Sequence, residues 1–171
     1  MRIHRLLETG ILGGLLLFSA GLARPSGEIP SGMTSSAMEK YQSGEPFDEI
    51  VPAETFGYPS PLRVLELAGK LDLTAEQEKK IRGLANRMSR EAALYGKKII
   101  AHELLLDDFF RKGQTDPMAL ANRVESIGLL RWRLRFNLLS LCVNTRSVLT
   151  AEQLQTYRGL RSPSLGDGVL K

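Results

Sequence analysis

The pentapeptide LTAEQ occurs twice in the chain, at residues 73–77 and again at residues 149–153. In each copy the glutamine follows the threonine by three residues, which is the spacing of a capping box. In that motif the threonine hydroxyl accepts from the backbone N–H of the glutamine, and the glutamine side chain accepts from the backbone N–H of the threonine. Each copy therefore predicts the start of an α-helix. The predicted capping residues are Leu73, Thr74, Gln77, Leu149, Thr150 and Gln153.

The segment between the two copies predicts two long helices joined by a turn. No proline interrupts the sequence between Thr74 and Pro117, so one helix can run through most of it. Gly113 suits the left-handed conformation that often follows a helix. Asp116 is then well placed to cap a second helix, with Pro117 at its first position and its end near Arg146.

The fold class predicted from this pattern is all-α. A short helix from Pro61 precedes the first LTAEQ copy, and a last helix from Ala151 to about Arg161 follows the second copy. Connected by a short turn, the two long helices would form a long antiparallel helical hairpin with short flanking helices.

The apolar residues of the second long helix fall into two stripes. The first is the predicted surface for packing on the first long helix. Its members that repeat every seven residues are Leu120, Ile127, Leu134, Leu141 and Val148, and Val124 and Leu138 join them. The second lies about 120° further round the helix at 100° per residue; it consists of Leu129, Trp132, Phe136, Leu139 and Val143. A hairpin buries one face of each helix, so the second stripe needs a second subunit, a short helix folded back, or a bound client.

Three arginines, Arg131, Arg135 and Arg146, are predicted to project between the two stripes and to line the apolar patches with positive charge. Together with the second stripe they form the candidate client-binding surface. The alternative is plain dimer packing for the stripe, with the arginines as its solvated rim.

The N-terminus has the pattern of a secretory signal. Arg2 and Arg5 precede a short apolar segment at residues 11–18, and small residues lead to Ala23. We therefore predict a cleaved signal peptide over residues 1–23 and a periplasmic location. The alternative is an uncleaved N-terminal membrane anchor.

The remaining segments complete the predicted domain organisation. Residues 24–60 are rich in proline, glycine and serine without a helical or strand period, which predicts a disordered arm or linker. A few apolar residues of this arm could dock on the domain or on a partner. The helical domain then covers residues 61–161, and residues 162–171 are predicted to be a flexible tail.

Composition and motifs narrow the chemistry. The net charge of +4 and the absence of any nucleic-acid-binding motif argue against a nucleic-acid partner. No nucleophile–base pair and no glycine-rich phosphate loop is recognisable, so we predict that the chain is not an enzyme. We predict no cofactor, with a transition metal as the alternative. The candidate ligands for a metal are His102, Glu103, Asp107 and Cys142. They are weak candidates, because transition-metal sites need several histidines or cysteines at fixed spacing.

Two L-T-x-x-Q copies that bracket a long helical hairpin, behind a signal peptide, resemble the LTXXQ-motif family. This family includes the Spy and CpxP periplasmic chaperones and related metal-resistance and metal-sensor proteins. The resemblance is carried by the six capping residues and covers about residues 61–161. It implies a cradle-shaped antiparallel homodimer that holds unfolded clients without ATP on a surface of mixed basic and apolar residues.

Three functions follow as hypotheses. The first is a periplasmic, ATP-independent chaperone of the envelope stress response, with unfolded or misfolded envelope proteins as partners. The second is a periplasmic metal-resistance or metal-sensor protein that signals to a membrane partner. The family's metal sensors use histidine-rich sites, however, and the end of the second long helix carries no histidine. The third is a purely structural dimer whose second stripe is buried between subunits.

Overall fold

The computed structural model describes residues 28–45 and 47–160, and within this part of the chain it is all-helical, as the sequence predicts. No β-strand occurs among these residues. The helices are α1 (Ser35–Ser43), α2 (Phe47–Thr55), α3 (Pro61–Glu66), α4 (Ala75–Arg111), α5 (Pro117–Val148) and α6 (Ala151–Leu160). The predicted signal peptide and the predicted tail lie outside the described residues.

Both long helices begin at the residues that their capping signals indicate, and α4 ends at Arg111, just before Gly113. α4 is 37 residues long, which corresponds to about 55 Å, and Thr74 caps it. Beyond its end, Gly113 has a φ of 62°, in the left-handed region that glycine adopts without steric cost. The Asp116 side chain accepts from the backbone N–H of Met118 at 3.0 Å and caps α5, whose first residue is Pro117.

α4 and α5 pack along one another and provide the main core. The Gln77 side chain near the start of α4 donates to the Val148 carbonyl at the end of α5. Further along α4, Glu103 pairs with Arg131 of α5, which comes before Val148 in the sequence. The two helices therefore run in opposite directions. The buried residues between the helices include Met88, Ala92, Ile99, Leu134, Leu138 and Leu141.

One residue of the predicted core stripe is misplaced. Val124 is 54% exposed, whereas Ile127, Leu134, Leu138 and Leu141 are buried. α2 lies against α5 beside Arg135, about three turns beyond Val124. The periodicity placed Val124 on the stripe that packs on α4, but it could not show how far along α5 neighbouring elements cover that stripe.

The prediction of a disordered arm over residues 24–60 is wrong for the residues that the structure describes. Residues 28–45 and 47–60, which we call the strap, contain α1 and α2 and lie against α4 and α5. The Thr34 hydroxyl caps α1 by accepting from the backbone N–H of Ala37 at 3.1 Å, and Gly44 ends it with a φ of 75°. Helices of nine residues are marginal in isolation, so these two depend on packing against α4 and α5.

Apolar residues of the strap supply that packing. Ile50 of α2 is 2% exposed and belongs to the main core, with Met33, Tyr41 and Ala53 packed against it. Val51 and Phe56 of the same segment are exposed. Among the described residues, no helix combines the length and the apolar character needed to span a membrane.

Candidate functional site

The two LTAEQ copies, far apart in sequence, meet in the structure. The Gln77 side-chain amide Nε2 donates to Gln153 Oε1 at 2.9 Å, and Gln153 Nε2 donates to Gln77 Oε1 at 3.0 Å. Both capping boxes are also formed as predicted: each glutamine Oε1 accepts from the backbone N–H of its own threonine, Thr74 or Thr150, at 3.0 and 2.9 Å. We call this reciprocal amide pair the glutamine clasp.

The clasp leaves no polar atom of either amide without a partner. A glutamine side chain has two N–H donors and an oxygen that accepts twice. The second donor of Gln77 reaches the Val148 carbonyl at 2.9 Å, and that of Gln153 reaches the Leu71 carbonyl at 3.1 Å. Asp72, in the left-handed region with a φ of 48°, turns the chain between that carbonyl and the first copy. The clasp therefore ties the start of α4 to the junction of α5 and α6.

The leucines of the two copies lie in a second apolar cluster below the clasp. Leu149 is buried there and Leu73 is half-buried. Leu154, four residues after the cap of α6, packs in the same cluster, as a hydrophobic staple with Leu149 requires. The six capping residues thus act as a structural tie between helix ends.

The second apolar stripe of α5, which we call the outer stripe, is largely exposed. Its members Leu129, Trp132, Phe136 and Val143 are between 45% and 60% exposed, and Leu139 is half-buried. The Trp132 and Phe136 rings stack with their centroids 5.6 Å apart and their planes 12° apart. The outer stripe spans about 21 Å along the helix.

The first of the predicted arginines has a partner on α4. Arg131 donates to Glu103 Oε1 at 2.7 Å, and Glu103 is only 8% exposed. A buried carboxylate requires such a partner, because an isolated buried charge is costly. Arg131 therefore contributes to the packing of α4 on α5 in addition to any role at the surface.

The other two arginines are directed toward the strap. Arg135 lies 3.7 Å from the Glu49 carboxylate. Arg146 donates to the Gly57 carbonyl at 2.7 Å, and its guanidinium lies 4.7 Å from the centre of the Tyr58 ring. The prediction that these side chains line the apolar patches thus needs revision: each makes a defined contact inside the chain, and their part in client binding stays a prediction.

The four weak metal candidates lie on α4 and α5. Glu103 is in the ion pair described above, and the Asp107 carboxylate accepts from the Ser31 backbone N–H at 2.8 Å as well as from its hydroxyl. His102 is half-buried and Cys142 is buried. In the described part of the chain, no three His, Cys, Asp or Glu side chains come together in a group that could hold a metal.

Burial raises the pKa of the Cys142 thiol to about 12, with a smaller contribution from the negative charge of Glu54. The folded protein therefore keeps this thiol protonated above pH 9, where the unfolded chain would lose the proton. The stability this contributes is fully present below pH 9 and is lost as the pH rises toward 12. We expect the free energy of unfolding to fall by about 1.4 kcal/mol more between pH 8 and pH 10 in the wild type than in Cys142→Ala. Urea titrations at both pH values measure this, and equal losses in the two proteins would contradict it.

The strap is the element of the site that sequence patterns missed. One signal for it was present: residues 28–60 carry six acidic side chains and one basic one, whereas residues 61–160 carry 17 basic and 11 acidic side chains. Opposite net charges on adjacent segments favour contact between them. The glutamine clasp had no such signal, since a capping box is complete within one helix end.

Comparison with known proteins adds no relative: no family model, no curated protein and no solved structure matches the chain. The resemblance to the LTXXQ-motif family therefore rests on the two LTAEQ copies and their surroundings.

Proposed function

We propose that the protein is an exported, ATP-independent holding chaperone of the LTXXQ, Spy/CpxP type, which binds unfolded envelope proteins on the outer stripe. The observation that carries this proposal is the exposure of Trp132 and Phe136 as a stacked aromatic pair on a long rigid helix. Aromatic side chains that stay exposed in a soluble domain are typical of binding surfaces.

The size of the outer stripe supports weak and reversible binding. A client segment that covers the exposed parts of the two rings would bury about 200 Å² of apolar surface on this helix. At about 25 cal/mol per Å², this gives about 5 kcal/mol. Association itself costs at least about 4 kcal/mol, so little net affinity remains from one such contact. A holding chaperone needs such weak affinity, because its clients must dissociate without ATP.

Charge supports the choice of client. The helical domain has an excess of basic side chains over residues 61–160. Arg133, exposed on α5, adds positive charge beside the outer stripe. Unfolded segments that combine apolar and acidic residues would therefore be favoured over basic ones.

The proposed assembly is a cradle-like homodimer of antiparallel hairpins. The opposite directions of α4 and α5 support the hairpin part of this proposal. In the dimer, a second copy competes with clients for apolar surface, so the experiment must separate the two occupants of the outer stripe.

Replacing Trp132 and Phe136 together by serine tests the proposal. We expect at least five times more of the variant to be needed to suppress aggregation of a chemically denatured client, in buffer with EDTA and no ATP. Both residues are mostly exposed, so the loss of stability should stay within about 2 kcal/mol, including the loss of their ring stacking. Val124→Ser is the matched control, because it removes an equally exposed apolar side chain of α5 outside the outer stripe.

Light scattering of the client and the molar mass of the chaperone are measured on the same samples. Unchanged suppression by the double variant would remove the outer stripe from client binding. A dimer that becomes a monomer in the double variant would assign the outer stripe to the subunit interface and overturn this proposal.

A further inference from the structure

We infer that the surface of α4 and α5 beneath the strap, which we call the strap face, is a second binding site for acidic, amphipathic helical segments, and that the strap is its resident occupant. The inference rests on the proposed holding function in one respect: the segment that competes with the strap for this face is taken to be part of an unfolded client. The site itself is argued from contacts within the chain.

The strap face is apolar along its centre. Ile50 of the strap packs into the core cluster that includes Met88, Leu138 and Cys142. Cys142 is fully buried, and it lies one turn before Arg146, which donates to the strap from the same helix. Removal of the strap would therefore expose apolar surface of both long helices, including this thiol.

Two glycines let the strap approach the face at backbone distance. A Cβ added to Gly96 of α4 would lie 2.9 Å from both the Cα and the carbonyl carbon of Tyr41, and nearer still to its oxygen. On the other side of the contact, a Cβ added to Gly44 of the strap would lie 3.0 Å from the Ser89 carbonyl oxygen. The strap face therefore accepts a helical segment whose backbone lies directly against α4, and the two glycines fix where that backbone can lie.

Charge selects an acidic occupant. Glu28 of the strap pairs with Arg111 at 2.8 Å, and Glu49 approaches Arg135 at 3.7 Å. The backbone carbonyl of Gly57 accepts from Arg146. Cations from both long helices therefore meet the strap at its start, middle and end, whereas the strap itself carries a single basic residue, Lys40.

The same contacts make the strap displaceable. Its helices have nine residues each, too few to be stable without the strap face, and the arginines that pair with its carboxylates are about half exposed. An unfolded client segment with similar chemistry can then replace the strap without unfolding α4 and α5. The strap would keep the apolar face covered when no client is present.

Two glycine substitutions separate the strap from the face it covers. Gly44→Val changes only the strap, where a φ of 75° and the Ser89 carbonyl both oppose a side chain. Gly96→Ala changes the face and should block any occupant of the strap's geometry. The matched controls are Gly32→Ala in the strap, where an added Cβ meets only Glu103 at 3.8 Å, and Gly83→Ala in α4, where it meets nothing within 4 Å.

The variants are made in residues 24–171, the predicted mature chain, which contains every described residue. The first readout is the reaction of Cys142, the only cysteine, with a chromogenic disulfide reagent at pH 8. We expect the rate to rise at least tenfold in Gly44→Val and Gly96→Ala and less than twofold in the controls. Far-ultraviolet circular dichroism checks that α4 and α5 stay helical.

The second readout is binding of a labelled synthetic peptide of residues 28–60, measured by fluorescence anisotropy. We expect Gly44→Val to bind the peptide at least tenfold more tightly than the wild type, whose face is occupied, and Gly96→Ala to bind it no better than the wild type. Peptide added to Gly44→Val should slow the reaction of Cys142 again. A peptide with Glu28 and Glu49 changed to lysine should bind at least tenfold more weakly.

Equal peptide binding by Gly44→Val and the wild type would overturn the inference, and so would tight binding by Gly96→Ala. Equal binding of the lysine peptide would overturn its acidic selectivity. If Gly44→Val lost the helicity of α4 and α5, the double variant Glu28→Lys, Glu49→Lys would replace it. We expect Cys142 of that variant to react threefold faster than in the wild type. An unchanged rate would contradict the inference. The Trp132→Ser, Phe136→Ser variant should leave protection of Cys142 unchanged, so failure of the outer stripe and failure of the strap face are distinguishable.

Discussion

Replacing Gln77 by glutamate is expected to lower the free energy of unfolding by about 2–3 kcal/mol. In an isolated helix the same change would be neutral or favourable, because glutamate completes a capping box and suits the positive N-terminus of a helix. Here the side-chain amide also donates to the Val148 carbonyl and to Gln153 Oε1. A carboxylate has no proton for either oxygen, and an unpaired partly buried acceptor costs about 1–3 kcal/mol.

Urea unfolding followed by circular dichroism measures this change. Gln155→Glu on α6 is the control, since it adds the same charge at an exposed position outside the clasp and should cost less than about 0.5 kcal/mol. Gln77→Ala, Gln153→Ala and the variant with both changes form a double-mutant cycle. We expect a coupling energy of about 1–2 kcal/mol, because the second substitution removes a side chain whose partner is already lost. Additive losses, or a stable Gln77→Glu, would reduce the two LTAEQ copies to independent helix caps.

Local sequence patterns predicted α3, α4, α5 and α6 well because the signals for these helices are local. The caps of α4, α5 and α6 lie within a few residues of the backbone groups they satisfy, and no proline interrupts either long helix. The clasp was not predictable in the same way. Whether Gln77 meets Gln153 depends on how α4 and α5 align, which is decided by packing over the length of both helices.

The helices of the strap were not predicted, because their local sequence does not favour them. The composition of the strap is typical of disorder, and Pro52 lies inside α2, so propensity argues against a helix there. The helices form because Ile50 and Met38 are buried when the strap lies on the domain. Tertiary packing thus overrides local preference. The sequence held two indications of it: the apolar residues of the arm, and the charge asymmetry between residues 28–60 and 61–160.

The candidate site was predicted only in part. The outer stripe follows from helical periodicity, and four of its five residues are exposed. The directions of Arg131, Arg135 and Arg146 did not follow, because their partners belong to α4 and to the strap. A mutation that reverses one of these charges therefore tests the fold as well as the surface.

Replacing Arg131 by glutamate is expected to lower the free energy of unfolding by about 2–4 kcal/mol. The change removes the 2.7 Å ion pair and places a second carboxylate against Glu103, which is 8% exposed. Loss of a partner for a fully buried charge costs about 3–5 kcal/mol, and the lower figure here reflects the half-exposed arginine side chain. Urea unfolding measures the change.

Arg133→Glu is the matched control: it makes the same charge reversal two residues further along α5, at an exposed side chain, and should cost no more than about 0.5 kcal/mol. Combining Arg131→Glu with Glu103→Arg restores opposite charges and should recover at least half of the lost stability. Equal stability of the two single variants would mean that the ion pair does not support the packing of α4 on α5. If the expected difference is found, weaker client holding by Arg131→Glu reflects partial loss of the fold, and Arg133→Glu becomes the variant that measures the contribution of positive charge beside the outer stripe.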